Sequence, residues 1–202
     1  MYIPKPNAVD NDEARDMIAA ADVGHLVSTT ADGLVATTLP VLLDGDSLLG
    51  HVARANSQWR DSIPGVESMA IIAGPDAYVS PSWYATKHEH GRVVPTWNYT
   101  SVHVYGQLVI HDDPAWKLDL VRRLTDRHES RLDAPWSVDD APAEYIERML
   151  GAIVGLELQI TRIDAKRKLS QGRDERDING VIAALDTGTD AQRTIATEMR
   201  RV

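Results

Sequence analysis

Residues 25–52, HLVSTTADGLVATTLPVLLDGDSLLGHV, contain the pattern that decides the fold. Two glycine-containing turn signals, Ala31-Asp32-Gly33 and Asp44-Gly45-Asp46, divide this stretch into three apolar runs. Apolar runs joined by short turns of this kind are typical of consecutive antiparallel strands. We therefore predict a three-stranded meander, with strands at 25–30, 34–43 and 47–52.

The rest of the chain predicts further strands and then helices. Gly74-Pro75 indicates the end of a strand, and we expect the remaining strands at 66–72, 77–80, 96–110 and 154–163. We expect helices at about 13–22, from Pro114, from Pro142 and in the tail from near Asp174, with a break at Thr187-Gly188. Because the strands follow one another through hairpins, the fold class is α+β and β-rich, an antiparallel closed sheet with peripheral and C-terminal helices. We predict a single domain over 1–202, with about 164–202 as a basic turn and a helical tail.

Composition narrows the function classes. The 202-residue chain has no cysteine and a net charge of −9, which excludes thiolate chemistry and opposes nucleic-acid binding. It lacks a long apolar run and an apolar leader, so we expect a cytoplasmic protein that does not bind membranes. Segment 162–173 differs, with five basic residues against Asp164 alone, a local charge of +4. This segment either binds something anionic or is a solvated turn.

A first candidate site lies at the end of the third predicted strand, in GHVARANSQW (50–59). His51, Arg54 and Asn56 follow one another where the strand opens into a turn. An imidazole, a guanidinium and an amide at one place can hold a phosphate group. The alternative interpretation is a strand end capped by Asn56, with Arg54 on the surface.

A second candidate site lies in segment 78–106, YVSPSWYATKHEHGRVVPTWNYTSVHVYG, which holds two Trp, four Tyr and three His. Such a combination is typical of a site for a planar heteroaromatic ligand. Its flat surfaces would be Trp83, Tyr84, Trp97 and Tyr99, and its polar contacts Lys87, Asn98, His103 and Tyr105. The alternatives are a half-buried strand whose wet face carries His and Tyr, and aromatic residues in the core or at a dimer interface. For Trp83 and Trp97 we prefer the second alternative.

A third candidate site is KLSQGR (168–173), which precedes a predicted helix. Backbone N–H groups at a helix start can bind an anion. The alternative is a helix start whose dipole is already complemented by Asp174 and Glu175. His88 and His90 lack further ligands at metal-binding spacing, so we predict no metal site.

Seven segments form a pattern that runs nearly end to end: MYIP (1–4), GHVARANSQW (50–59), AGPDAYVSPSWYATK (73–87), VVPTWNYTSVHVYG (93–106), LTDRHE (124–129), AIVGLELQI (152–160) and KLSQGR (168–173). Together they resemble the PaiB-type FMN-binding negative transcriptional regulators. Ser57 stands where that family usually has proline. Gly172 stands where it usually has asparagine, which removes an amide from the basic turn.

The resemblance implies a fold related to pyridoxamine-phosphate oxidase, namely a split β-barrel homodimer with FMN at the subunit interface. It implies an FMN site made of three groups of residues. These are His51, Arg54, Asn56 and Lys87 for the phosphate; Trp97, Asn98, His103 and Tyr105 for the isoalloxazine; and Lys168, Gln171 and Arg173, which would close the site from the other subunit.

The resemblance also implies a function, the negative regulation of transcription by an FMN-binding dimer that acts on DNA or on another protein. The alternative is an FMN-dependent oxidoreductase that acts on a small molecule, because split barrels carry several activities. A third and less favoured alternative is haem bound through His103 or His51. Only the +4 segment supports DNA binding electrostatically.

Overall fold

The computed structural model describes residues 1–202, which form two compact units. Unit 1 comprises Met1–Ala14, Ala73–Val102 and Asp164–Val202, and unit 2 comprises Arg15–Ile72 and His103–Ile163. The strands are β1 (Val23–Thr30), β2 (Gly33–Asp44), β3 (Ser47–Ala53), β4 (Ser68–Val79), β5 (Thr96–His111) and β6 (Ile153–Lys168). The helices are α1 (Asn11–Ala20), α2 (Gln58–Asp61), α3 (Lys87–His90), α4 (Pro114–Glu129), α5 (Ala143–Gly151), α6 (Glu175–Asp186) and α7 (Asp190–Met199). The interpretation of 1–202 as a single domain stays a prediction.

The predicted meander is confirmed and begins the sheet of unit 2. β1 pairs antiparallel with β2 up to the pair Thr30 and Gly33, and β2 pairs antiparallel with β3 up to Asp44 and Ser47. The turns place Gly33 at φ 115° and Gly45 at φ 53°. Glycine adopts such positive φ values at the least cost, which explains why both turn signals end a strand where they do.

The six strands form a closed barrel in the order β1-β2-β3-β6-β5-β4. β3 pairs antiparallel with β6, with His51 opposite Gly155, and β1 pairs antiparallel with β4, with His25 opposite Ile71. The predicted fold class, an α+β antiparallel split barrel with peripheral and C-terminal helices, is therefore confirmed. None of the seven helices combines the length and the apolar character that crossing a bilayer requires.

Side chains fill the part of the barrel interior that belongs to unit 2. The space left there is only about 20 Å³, which is room for about one water molecule. Its lining is entirely apolar: Leu26, Leu39, Val41, Leu48, Leu49, Gly50, Ala70, Leu108, Leu156 and Leu158. A ligand the size of a nucleotide must therefore bind outside this interior.

The tail helices α6 and α7 contribute buried residues to the core of unit 1. Asp174 caps α6 by accepting a hydrogen bond from the Arg176 N–H, and Thr189 and Gln192 form a capping box at α7. The buried residues of this core are Ala77, Val79, Tyr84, Leu169, Val181, Leu185, Ile195, Ala196 and Met199.

Two predicted boundaries are wrong. β4 runs unbroken through Gly74-Pro75, where we expected two strands. Gly74 gives room to a neighbouring side chain, because a Cβ there would lie 1.9 Å from Thr100 Oγ1. Glycine inside a strand often marks such a close approach. β6 extends to Lys168, so the first half of the basic segment 162–173 is strand and only its second half is a turn.

Candidate functional site

The turn after β6 has a backbone that its own side chains hold in place. Ser170 has φ 69° and Gly172 φ 78°, so the chain enters the left-handed region twice. The Gln171 side chain accepts a hydrogen bond from the Leu169 N–H at 2.7 Å and donates one to the Arg167 carbonyl at 2.7 Å. Gln171 therefore stabilises the turn with both ends of its amide.

A cleft of about 170 Å³ lies beside this turn in unit 1. Its lining includes no acidic residue and consists of Asn7, Thr96, Lys168, Ser170, Gln171 and Arg173. Lys168 Nζ donates hydrogen bonds to Thr96 Oγ1 at 2.6 Å and to the Trp97 carbonyl. Burial, together with the charges of Lys166 and Arg173, lowers the pKa of Lys168 below its ordinary value. The cleft is therefore electropositive.

Arg173 contributes the second cation of this cleft. Its guanidinium lies 4.3 Å from the ring centroid of Tyr84. That contact orients the group while leaving its N–H donors for other partners. Tyr84 is only 1% exposed and belongs to the core. The expectation that Tyr84 offers a flat ligand surface is therefore wrong.

Trp97 and Asn98 are neighbours on β5 with opposite environments. Trp97 is 51% exposed and meets Tyr78 edge to face, with ring centroids 6.1 Å apart. Asn98 is fully buried, and its Nδ2 donates hydrogen bonds to Ser170 Oγ at 3.0 Å and Met199 Sδ at 3.3 Å. Trp97 is therefore an open aromatic surface and not a core residue of this chain, whereas the Asn98 amide holds the turn.

The segment before α3 is attached to α6 by a buried carboxylate. Asp177 accepts hydrogen bonds from the Thr86 N–H at 2.9 Å and from Thr86 Oγ1 at 2.8 Å. Trp83 packs against the core of unit 1, which confirms the core interpretation for that residue. Lys87, the first residue of α3, is exposed, and its Nζ donates to Ser82 Oγ at 3.1 Å. The ammonium group of Lys87 thus faces solvent.

In unit 2, His51 lies on β3 and has an unpaired ring nitrogen. Its Nδ1 atom is buried without a hydrogen-bond partner. Burial lowers the pKa of His51 below its ordinary value of 6.5, so the ring is neutral at neutral pH. It can share a hydrogen bond with a phosphate but brings no positive charge. His51 also lines a cleft of about 280 Å³, together with Pro40, Val121, Leu124, Thr125, His128, Glu129 and Trp136.

Partners within unit 2 hold the side chains of Arg54 and Asn56. Arg54 binds both carboxylate oxygens of Asp112, and this contact holds the pKa of Asp112 well below its usual range. Asn56 donates from Nδ2 to Thr37 Oγ1 at 2.9 Å and accepts the Gln58 N–H at 2.9 Å. This agrees with the alternative of a capped strand end. The assignment of Arg54 and Asn56 to a phosphate stays a prediction.

His103 and Tyr105 share one face of β5 in unit 2. Their ring centroids are 6.3 Å apart, and the Arg162 guanidinium lies 3.6 Å from the Tyr105 centroid. Val102 and Val104, which alternate with them, are completely buried. The half-buried strand that the alternation predicts is confirmed. The role of its outer face toward a flavin stays a prediction.

The chemistry of unit 1 fits the phosphate of a flavin mononucleotide. Lys168 and Arg173 supply cationic donors in a cleft without carboxylates, which is the donor set that a phosphate requires. The exposed ring of Trp97 is a surface on which a planar ring can stack. Sequence reasoning missed Thr96 and Asn7. Thr96 could have been found because it adjoins Trp97 in the quoted motif, but no local signal places Asn7 beside residues 168–173.

Comparisons with known proteins agree with this fold and chemistry. Residues 1–162 match the family described as "Putative FMN-binding domain". The relative "Protease synthase and sporulation protein PAI 2" of Bacillus subtilis is 34% identical over 192 residues, which cover 92% of this chain and 89% of that protein.

Two solved structures have a similar fold. The flavocytochrome Anf3 from Azotobacter vinelandii has a TM-score of 0.58 and 19% identity, covering 84% of this chain and 73% of its own. The FAD and heme binding protein from Mycobacterium smegmatis has a TM-score of 0.60 and 17% identity, covering 91% and 81%. At these identities the likeness concerns the fold alone. The family match covers most of the chain, and this chain therefore belongs to the PaiB-type FMN-binding split-barrel family, with FMN as its cofactor.

Proposed function

We propose that this protein is a homodimeric, FMN-binding negative regulator of transcription. The observation that carries this proposal is the 34% identity, over most of both chains, to a Bacillus subtilis protein whose name refers to protease synthase and sporulation. That name describes cellular processes and not a reaction on a small substrate. FMN would serve as the ligand or redox signal that the regulator reads.

The flavin supplies electron-transfer chemistry when it is bound, and the residues of the chain hold and orient it. In this proposal Trp97 offers its exposed ring to the isoalloxazine. Lys87 adds an exposed positive charge that can reach an anionic group.

The homodimer is supported by the exposure of β2. Leu34 and Val35 are both exposed, although successive residues of a strand point to opposite faces. A second chain that covers these apolar side chains would remove them from water, which is favourable. We expect light scattering to give twice the 22.3 kDa mass of the chain. A monomer at micromolar concentration would contradict the dimer.

A second candidate function is that of an FMN-dependent oxidoreductase, and the basic segment favours it. Arg167 pairs with Glu13 at 2.5 Å and with Glu198 at 3.6 Å. Lys166 is buried, and its Nζ lies 5.3 Å from the ring centroid of Tyr99. Both cations already contact groups of the protein itself, so residues 162–173 do not form a continuous basic surface for DNA.

One pair of experiments separates the two candidates. FMN-loaded protein and protein freed of FMN are mixed with a pool of genomic DNA fragments at low salt and again at higher salt. Regulation by direct DNA binding predicts retained fragments at low salt and a steep loss as salt rises. If neither specific nor nonspecific duplex is retained, direct repression is rejected. In the second experiment, NADH or NADPH is added to the FMN-loaded protein in the absence of oxygen. Bleaching of the flavin at a rate fast enough for enzymatic turnover supports the oxidoreductase.

A further inference from the structure

We propose that the cleft beside the C-terminal half of α4 in unit 2 binds a small organic amine, with Glu129 as the counter-charge and Trp136 as an aromatic wall. Its volume of about 280 Å³ lies just below the range of about 300–1,000 Å³ that is usual for ligand pockets, so the ligand would be small. Of the residues that line this α4 cleft, the family resemblance assigns only His51 to the flavin. The inference therefore does not rest on the proposed function.

The α4 cleft is built from one face of a helix and one face of a strand. Five of its eight lining residues lie on α4, at positions 121, 124, 125, 128 and 129, a spacing that places them on the same side of a helix. Leu124 is 6% exposed and packs in a core cluster with Leu49 of β3. His51 lies two residues after Leu49 and so shares its face of the strand. The floor of the cleft is therefore apolar and fixed to the barrel.

Glu129 brings an unneutralised negative charge to this cleft. The residue is half-buried, its Oε2 accepts a hydrogen bond from the Trp136 backbone N–H at 2.8 Å, and it forms no salt bridge. The arginines closest to it in sequence, Arg127 and Arg131, both bind Asp22 instead, at 3.5 and 3.3 Å. A carboxylate that is partly removed from water without a cation is unfavourable. A bound ammonium group would remove that cost.

The α4 cleft contains no group that would attract an anion. None of its lining residues is lysine or arginine. Burial lowers the pKa of His51, so this ring is neutral at neutral pH. The second imidazole, His128, has its Nδ1 atom 3.9 Å from Asp22 Oδ1, and a positive charge on it would be offset by that carboxylate. The net charge of −9 also favours the approach of a cation. A phosphate or a carboxylate is therefore disfavoured here.

Trp136 supplies an aromatic surface whose backbone is held in place. Its N–H binds Glu129, and the next residue, Ser137, forms a capping box with Asp140. The side chain is nevertheless 45% exposed, and its ring stacks on no other ring of the chain. The face of an indole attracts a cation within about 6 Å of the ring centroid. An amine whose apolar body packs between Trp136 and Leu124 would therefore satisfy both the ring and the carboxylate.

The test compares three probes of similar shape and different charge: phenethylamine, phenethyl alcohol and hydrocinnamate. Each is titrated into the full-length protein, once loaded with FMN and once freed of it, and its dissociation constant is measured by ligand-detected NMR. The chain has five tryptophans, so the protein gives five indole N–H signals. The signal that disappears in Trp136→Leu belongs to Trp136, and its shift in the wild-type protein shows that a probe binds in the α4 cleft.

Two variants and one control complete the design. Glu129→Gln removes the charge and keeps an oxygen that can accept the Trp136 N–H. Its control is Glu144→Gln, which loses the same charge at an exposed position of α5 that does not line the cleft. Trp136→Leu keeps an apolar side chain and loses the ring, so it keeps the test valid if Glu129→Gln does not fold. Circular dichroism and thermal unfolding check the folding of each variant.

We expect phenethylamine to bind about tenfold more tightly than phenethyl alcohol, and hydrocinnamate not to bind. Glu129→Gln should weaken amine binding about tenfold to a hundredfold, the range for a hydrogen bond to a charged group, and should leave alcohol binding unchanged. Trp136→Leu should weaken amine binding about twofold to thirtyfold, the range for a cation–π contact. The FMN-loaded and FMN-free proteins should bind the amine equally.

The proposal is overturned if the wild-type protein binds the amine no more tightly than the alcohol, or if both folded variants bind it as the Glu144→Gln control does. It is also overturned if FMN displaces the amine, because the α4 cleft would then belong to the flavin site. A protein that binds the amine through Glu129 and Trp136 but does not bind FMN would reject the proposed function and support the cleft. The two failures are therefore distinguishable.

Discussion

Replacing Thr86 with valine should destabilise unit 1 through the buried carboxylate of Asp177. Thr86 is 7% exposed and Asp177 is 3% exposed. The Thr86 hydroxyl donates to Asp177 Oδ2 at 2.8 Å, and the Thr86 N–H donates to Oδ1 at 2.9 Å. Valine keeps the branched shape but puts a methyl group where the hydroxyl was. One oxygen of the carboxylate would then lose this donor while it stays buried.

The magnitude follows from the partner's charge. A hydrogen bond to a charged group contributes about 1.5–3 kcal/mol to stability. The backbone N–H of Thr86 still binds the other oxygen, so we expect the loss to stay within this range. For a protein of this size it corresponds to a fall in Tm of roughly 3–12 °C.

The assay is urea unfolding followed by circular dichroism, with Thr86→Ser as the control. Serine keeps the hydroxyl and loses only a methyl group, which costs about 0.5–1.5 kcal/mol at a buried position. We therefore expect Thr86→Val to be less stable than Thr86→Ser. The reasoning is refuted if Thr86→Val unfolds within about 0.5 kcal/mol of the wild type.

Gly180→Ala should cost about 1–3 kcal/mol, because a Cβ at Gly180 would lie 2.2 Å from the Trp83 carbonyl oxygen. The control in urea unfolding is Gly151→Ala at the end of α5, where a Cβ would have no atom within 4 Å and should not destabilise the protein. Equal losses of unfolding free energy in the two variants would contradict the packing argument. The hydrogen bond from Ser47 lowers the pKa of Glu157 below its ordinary value of 4.5. The ionised Glu157 therefore contributes its full stabilisation above pH 4.5, and this stabilisation is lost as the pH falls through the pKa of the folded state. Glu157→Gln should therefore flatten the fall in unfolding free energy below pH 4.5, and identical pH profiles for variant and wild type would rule this out.

The elements that the sequence predicts well are those whose signals are local. The meander follows from the two glycine turns, and the start of α6 follows from Asp174 as its cap. Gly74-Pro75 predicts the end of a strand, but Gly74 instead makes room for Thr100, a residue distant in sequence that a local pattern cannot reveal. Chain neighbours thus predict turns and caps, whereas a close approach between strands is a tertiary feature.

The same distinction applies to the candidate site. The basic character of 168–173 locates the electropositive cleft of unit 1, but not the roles of its residues. Asn98, which the resemblance assigns to the isoalloxazine, binds Ser170 across 72 positions of sequence. Arg54, which the resemblance assigns to a phosphate, binds Asp112 across 58 positions. Partners so far apart cannot be read from spacing, because only the folded sheet brings them together.

The central claim is that this chain binds FMN, and an absorption spectrum tests it most directly. Purified protein is incubated with FMN, desalted and scanned, with a variant pair of Trp97→Ala and the exposed Tyr145→Ala treated in parallel. We predict that the visible bands of a flavin remain with the wild-type protein and the Tyr145 variant and are reduced in the Trp97 variant. A wild-type protein that comes through desalting colourless would contradict the claim.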